Sequence, residues 1–153
     1  MKKLFILSSA LLIFFNSFAS APTKIDDQIL QTFAVQFPHA QKVIWQEAKE
    51  SYIVTFIEDG IRVRIVYLKD GSVNHFLRYY LEENLPLDIR LNIKKKFPGR
   101  NIHGVIEENI ESNIENRSRT FYYVKLEDEN SWLTVKAERH KRLKVVEKLN
   151  KHI

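Results

Sequence analysis

The chain has 153 residues, no cysteine and a formal net charge of +5. This length suits a single domain with a buried core, and the missing thiols exclude disulfides, cysteine catalysis and thiolate metal sites. The charge surplus is modest, and its clusters are broken by apolar residues, so composition gives no reason to expect a nucleic-acid partner.

Residues 1–19 have the three-part pattern of a secretory signal peptide. Lys2 and Lys3 carry the positive charge, and the apolar run after them is about twelve residues long, short of the ~20 that a membrane span needs. We predict cleavage after Ala19, which leaves 20–153 as one domain. An exported chain without disulfides fits the periplasm, or secretion, of a Gram-negative bacterium.

Two apolar stripes with a spacing of about four residues predict two helices. The stripes consist of Ile25, Ile29, Phe33 and Phe37, and of Ile89, Ile93 and Phe97. A proline follows each last phenylalanine and ends the helix, because it disfavours helical backbone at the preceding residue. Thr23 and Asp26 resemble a capping box for the first helix, and Pro86 fits the first turn of the second.

Alternating apolar and polar runs predict four strands after each helix. The runs are 43–47, 52–58, 62–68 and 73–79, and then 102–107, 121–127, 132–137 and 143–148. Asp59-Gly60 and Asp70-Gly71 are typical of hairpin turns. The polar segment Glu108–Arg119 has no clear period, and we expect an exposed loop or an extended hairpin tip there.

The same apolar positions recur along the chain. Ile29 and Phe33 return as Ile89 and Ile93 at a shift of 60 residues, and Tyr52 returns as Tyr122 at a shift of 70. In a repeat, each copy is one supersecondary unit whose apolar face its neighbour helps to cover. We therefore predict an α+β fold of two tandem helix-plus-antiparallel-strand repeats, 25–79 and 86–149, with the helices packed on one face of the sheet.

Strand alternation divides the side chains between the two faces of this sheet. We assign the face with Val54, Ile65 and Val124 to the helices. The opposite face is then unusually aromatic and basic, and aromatic residues and arginine dominate binding hot spots. Its candidate partner-binding residues are Arg62, Arg64, Phe76, Tyr123, Trp132, Lys136 and Lys144.

The two tryptophans receive different predictions. Trp45 is expected to pack at the junction of helix and sheet rather than to serve as a ligand platform. Trp132 points to the opposite face, because Leu133 and Val135 take the core positions. It either binds a partner or stiffens the sheet in a cross-strand aromatic pair with Tyr123.

No pattern in the chain predicts catalysis, a metal or a cofactor. The histidines have neither the spacing of metal ligands nor a carboxylate at a matching offset: they are His39, His75, His103, His140 and His152. No Gly-x-Ser-x-Gly nucleophile motif occurs. The adjacent carboxylates Glu82 and Glu83 would point apart on a strand.

The order of helix, Phe-Pro-x-Ala, Val-x-Trp, Tyr-x-Val-x-Phe strand and Tyr-Leu-Lys-Asp-Gly hairpin resembles the PepSY-like, β-lactamase-inhibitor-like periplasmic proteins of Bacteroidetes. The matching residues are Phe37, Pro38, Ala40, Val43, Trp45, Tyr52, Val54, Phe56, Tyr67, Leu68, Lys69, Asp70 and Gly71. The second copy departs from the pattern, with Gly104-Val105 where the Trp motif would fall. The resemblance implies helices on one side of an antiparallel sheet whose exposed face grips an enzyme.

From these patterns we expect a non-catalytic periplasmic protein-binding module. The resemblance further implies that it is an inhibitor or regulator of an exported hydrolase. The basic residues of the candidate face imply a partner that is another exported protein with an acidic surface. No nucleic acid is expected as a partner, and no membrane after signal cleavage. The alternative is a periplasmic binder of a small molecule or cell-envelope ligand, at the same face or in a cleft between helix and sheet.

Overall fold

The computed structural model describes residues 24–112 and 117–151, with the backbone alone at 111, 112 and 117. The predicted signal peptide lies outside the described residues. In chain order, the elements are α1 Asp27–Gln36, β1 Gln41–Glu47, β2 Ser51–Glu58, β3 Ile61–Leu68, β4 Val73–Tyr80, a 3₁₀ turn Glu82–Asn84, α2 Leu87–Lys96, β5 Asn101–Ser112, β6 Arg117–Glu127, β7 Ser131–Ala137 and β8 Lys144–Asn150. No helix of the described ranges is long and apolar enough to cross a membrane.

The two helices end where the Phe-Pro pairs predict. Phe37 and Phe97 are the C-caps, and each backbone N–H donates to the carbonyl four residues earlier, at 2.9 Å. The start of α1 differs from the capping box, because Asp26 itself is the N-cap and accepts a hydrogen bond from the Gln28 N–H at 2.9 Å. Thr23 lies outside the described residues.

Within the described residues, the sheet is an antiparallel meander of eight strands in the order β1 to β8. Asp59 and Gly60 form a two-residue turn in which both have positive φ, 48° and 78°, which confirms the predicted hairpin. The segment Glu108–Arg119 forms mostly strand: β5 and β6 pair as far as Ser112 and Arg117. The extended-hairpin interpretation is therefore right and the loop interpretation is wrong, while 113–116 lie outside the described residues.

The predicted fold class is wrong. Instead of two helix-plus-strand repeats with helices packed on one face, the described chain is mostly one continuous antiparallel sheet, and its two α-helices have ten residues each. β4 pairs with β5 from Phe76–Tyr80 to Val105–Asn109, so no boundary separates the two recurring segments. The recurrence indicates which local elements form. The backbone N–H and C=O groups at the edge of a sheet also need hydrogen-bond partners, and here β4 and β5 provide these partners to each other.

The buried side chains of the described residues form two clusters. One joins Ile29 and Phe33 of α1 to β2 and β3, and the other joins Ile89 and Ile93 of α2 to β5, β6 and β7. Trp45 belongs to the first cluster, where its ring lies 5.3 Å from that of Phe33, as predicted. We call the sheet face that carries these clusters the core face, and the opposite one the outer face.

Phe33 is the point at which α1 is anchored to the sheet. Its ring lies 5.1 Å from Phe56 and 5.4 Å from Phe37. Replacing it by alanine removes these contacts and leaves a cavity, so Phe33→Ala should lower the free energy of unfolding by about 3–5 kcal/mol. Val35, which is 81% exposed in the same helix, provides the control: Val35→Ala should change it by less than about 0.5 kcal/mol. Chemical denaturation of both variants checks this, and equal stabilities would contradict the anchoring role.

Candidate partner-binding face

A single row of side chains crosses the outer face over six neighbouring strands, β3 to β8. Each member is the direct cross-strand partner of the next: Arg62, Tyr79, Ile106, Tyr123, Lys136 and Lys144. Directly opposed side chains on one face lie close enough to contact one another. We call this set the outer row. It has an aromatic and aliphatic centre with cationic residues at both ends.

Six of the seven candidate residues lie on the outer face, and they are not equally placed. Arg62, Tyr123, Lys136 and Lys144 belong to the outer row, and Arg64 starts the next row along β3, opposite Leu77. Trp132 is further along β7, opposite Leu149. Four residues separate Trp132 from Lys136, about 14 Å along a strand. The candidate site therefore centres on Tyr123, and Trp132 stands apart from it.

Phe76 is on the wrong face for the predicted site. It pairs with Ile65 and packs against the core, with its ring 6.2 Å from that of Phe37. The reason is a β-bulge. Val66 pairs with His75 but Tyr67 pairs with Val73, so the residue between Val73 and His75 has no partner on β3. One extra residue reverses the in-out alternation of everything after it.

The same bulge exposes residues that the sequence analysis missed. It turns Tyr79 outward, where the Arg62 guanidinium lies 4.5 Å above its ring. Ile106 and Gly104 complete the middle of the face, but the strand containing them carries a second bulge between Ile102 and Gly104. The sequence did contain a signal for this bulge. Gly104 lies inside a predicted strand, and a glycine there often marks a bulge or a place where a ligand or another backbone comes close.

A shallow groove of about 600 Å³ opens beside the outer row. Its lining on this face comes from five adjacent strands and consists of Tyr79, Gly104, Ile106, Tyr123, Lys125, Thr134 and Glu147. Gly104 contributes no side chain, and a Cβ at this position would meet no atom within 4 Å. The groove therefore exists because a glycine stands between larger neighbours. Its volume is within the ~300–1,000 Å³ of binding pockets.

Trp132 is covered by cations of its own chain. The ammonium groups of Lys125 and Lys151 lie 4.7 and 4.8 Å from its ring centre, and His103 meets it edge-on at 4.8 Å. Lys151 is held there by Glu127 at 2.5 Å. These contacts stiffen the end of the sheet. The predicted pair with Tyr123 does not form, because Tyr123 faces Lys136 instead.

A basic depression of about 470 Å³ lies at the far end of the outer row. Lys136, Arg142 and Lys144 line it, together with the Phe121 ring, which the Lys136 ammonium approaches to 3.7 Å. The acidic Glu138 at its rim is held by Lys141 at 2.6 Å, and this hydrogen bond is the main reason its pKa is lowered. The depression therefore keeps a net positive charge, which can attract a carboxylate of a partner.

On the core face, the second cluster includes one polar contact. The Tyr80 hydroxyl donates to the Glu107 carboxylate at 2.6 Å. Burial first, and then this bond, raises the pKa of Tyr80 well above its usual value, and burial also raises the pKa of Tyr122. Both phenols therefore stay protonated at neutral pH. Within 24–112 and 117–151, no three His, Asp or Glu side chains are grouped as a metal site requires.

The two faces give neighbouring aromatic residues of β4 opposite roles. Phe76→Ala should lower the free energy of unfolding by about 3 kcal/mol, since it opens the core beside Phe37. Tyr79→Ala should cost about 1 kcal/mol or less, since it removes one cation–π contact at the surface. Denaturation curves of the two variants measure the difference. A Tyr79→Ala variant that is the less stable of the two would contradict the bulge and the phase derived from it.

Comparison with known proteins supports the fold alone. No family model matches the sequence, and no curated protein does. The structure is similar to a BLIP-like protein from Bacteroides fragilis (TM-score 0.64, 11% identity, 83% of this chain and 86% of that one) and to a DUF2874 family protein from Bacteroides ovatus (0.65, 12%, 83% and 88%). It is equally similar to a protein from Bacteroides eggerthii described as periplasmic (0.64, 11%, 83% and 89%). The β-lactamase-inhibitor-like resemblance is thus consistent with the fold, while the PepSY-like part stays a prediction.

Proposed function

We propose that this chain is a non-catalytic periplasmic protein that binds another exported protein through its outer face. The observation that carries the proposal is the outer row with the groove beside it. Six strands spaced about 4.8 Å apart make the row about 24 Å wide, a span that suits a protein surface better than a small ligand. An apolar centre with a charged rim is also the usual layout of a protein interface.

The charges of this face favour an acidic partner. Arg62 and Arg64 stand at one end of the face, and Lys136 and Lys144 at the other. A carboxylate of the partner would form charge-assisted hydrogen bonds with exposed groups at these ends, such as the Arg62 guanidinium.

Inhibition or regulation of an exported hydrolase is the specific role we propose. Three observations support it: the signal-peptide pattern of residues 1–19, the resemblance to PepSY-like and β-lactamase-inhibitor-like proteins, and the fold shared with a BLIP-like protein of Bacteroides fragilis. The fold shared with a periplasmic protein of Bacteroides eggerthii supports the compartment. In this role the protein needs no catalytic residues, because its effect comes from covering the enzyme.

Filling the groove tests the proposal without deleting any contact. Gly104→Leu adds a side chain into open space, so the fold should be retained and the added residue should favour the strand. The tagged protein without residues 1–19, wild type or variant, is used to capture partners from periplasmic extract of its own bacterium. The partner retained by wild type should bind Gly104→Leu at least about tenfold more weakly, a hot-spot-sized loss.

The control adds similar apolar bulk elsewhere. Ala34→Leu adds three carbons to an exposed residue of α1, away from the outer face, and should bind the partner as wild type does. If the partner is an enzyme, its activity should fall on addition of wild type but not of Gly104→Leu. Equal capture by all three proteins would contradict a role for the outer face, and capture of an enzyme whose activity is unaffected would contradict inhibition.

Salt provides a separate prediction. Because the rim of the outer face is cationic and exposed, its attraction to an acidic partner is screened as the Debye length falls from about 10 Å at 0.1 M to about 3 Å at 1 M salt. Binding of the captured partner should therefore weaken steadily over this range, mainly through a slower association rate. Binding kinetics at several salt concentrations measure this, and a salt-independent association rate would rule out the acidic partner.

A further inference from the structure

The basic depression at the end of the outer row holds more positive charge than one carboxylate of a partner would neutralise. It lies where β6, β7 and β8 meet the turn 138–143, and its volume is about 470 Å³. The described side chains that line it include five cations and one carboxylate, which are Arg119, Lys136, Lys141, Arg142 and Lys144, and Glu138. Like charges gathered in one place repel one another, and an anion bound among them removes that repulsion.

Two of these cations stand directly opposite each other. Lys136 on β7 pairs with Lys144 on β8, and directly opposed side chains on one face have Cβ atoms about 5 Å apart. Like charges in this arrangement destabilise a sheet. The Lys136 ammonium lies 3.7 Å from the centre of the Phe121 ring, which keeps one of the two charges at the depression. Lys144 and Arg142 are exposed, so an anion from solvent can reach both.

The carboxylate in the lining, Glu138, already has cationic partners. Its Oε1 accepts a hydrogen bond from the Lys141 ammonium at 2.6 Å, and its Oε2 accepts one from the Arg119 guanidinium at 3.5 Å. Lys136, Arg142 and Lys144 form no ion pair with any carboxylate of the described residues. Their charges are therefore available to a ligand.

The turn that carries Arg142 is tied down at both ends. The backbone N–H of Lys141 donates to the Glu138 carbonyl at 3.1 Å, and the Lys96 ammonium of α2 donates to the Leu143 carbonyl at 3.0 Å. A site that is already ordered loses less conformational entropy when a ligand binds. The depression is thus prepared for a small ligand before one arrives.

We propose that the basic depression binds a phosphate monoester group among Lys136, Arg142 and Lys144. Lysine and arginine form charge-assisted hydrogen bonds with phosphate oxygens, and the group carries about −1.5 to −2 charges at pH 7, against −1 for a carboxylate. A soluble molecule and a lipid headgroup can both supply this group. The ligand is a small anion, so the inference goes beyond the proposed function and does not require a protein partner.

Phosphate and acetate, compared at one fixed ionic strength, test whether the site distinguishes a doubly from a singly charged anion. Each is titrated into the ¹⁵N-labelled protein while the backbone amide signals of Ala137, Lys141, Arg142 and Lys144 are recorded by NMR. Phosphate should shift these signals to saturation and bind about tenfold more tightly than acetate, the gain expected from one more charged hydrogen bond. The amide signal of Val35 in α1 should not move.

Lys144→Gln and Arg142→Gln each remove one charge of the proposed site and should each weaken phosphate binding about tenfold. Without phosphate, Lys144→Gln should melt at the temperature of wild type or above it, because the opposed charges are gone. Two controls should bind phosphate as wild type does. Lys95→Gln removes an exposed charge from α2, and Gly104→Leu fills the groove of the partner-binding proposal, so the two proposals can fail separately.

Glycerol phosphate and phosphatidic acid carry the same headgroup and distinguish the two sources of the ligand. The first is titrated as phosphate is. For the second, the protein is sedimented with vesicles of phosphatidylcholine with and without phosphatidic acid. At least one of the two should bind wild type and bind Lys144→Gln more weakly. The proposal is overturned if neither binds, if phosphate shifts the signals of 137–144 no more than sodium chloride does, if acetate binds as tightly as phosphate, or if Lys144→Gln binds phosphate as wild type does.

Discussion

The pairing of β4 with β5 is the constraint on which the rest of the molecule depends. It joins Phe76–Tyr80 to Val105–Asn109 and makes one sheet from two segments that resemble each other in sequence. On the outer face it places Tyr79 beside Ile106, which completes the outer row. On the core face it places Phe76 beside Asn109. The outer row is thus formed where the two segments meet, and neither segment contains it alone.

Much of the local structure could be predicted from the residues. Apolar stripes with helical spacing gave both helices, and the Phe-Pro pairs gave their ends. Alternation located all the strands described here, and Asp59-Gly60 gave its turn, because each of these signals acts within a few residues. The overall architecture could not be obtained in this way. Whether two groups of strands form separate units or share a sheet depends on pairing between residues distant in sequence, and periodicity carries no information on it.

Only part of the candidate site could be predicted, because alternation assigns the face of a residue correctly only where the strand has no bulge. Arg62, Tyr123, Lys136 and Lys144 follow the simple alternation of their strands and were placed on the correct face. Phe76 and Tyr79 follow a bulge, which reverses their faces, and the extra residue leaves no reliable mark in the sequence. Gly104 was visible only as a departure from a motif. Its contribution is an absent side chain, and its consequence depends on Tyr79, Ile106 and Tyr123 around it.

Chemical cross-linking tests the β4–β5 register most directly, and the chain is well suited to it because it contains no cysteine. The double variant Tyr79→Cys/Ile106→Cys places two thiols at directly opposed positions of the outer face, about 5 Å apart between Cβ atoms. A short bifunctional thiol reagent should join them rapidly within one molecule. In Arg78→Cys/Ile106→Cys the two thiols lie on opposite faces, and no rapid cross-link should form. A cross-link in the second variant and none in the first would contradict the register, the outer row and the groove beside it.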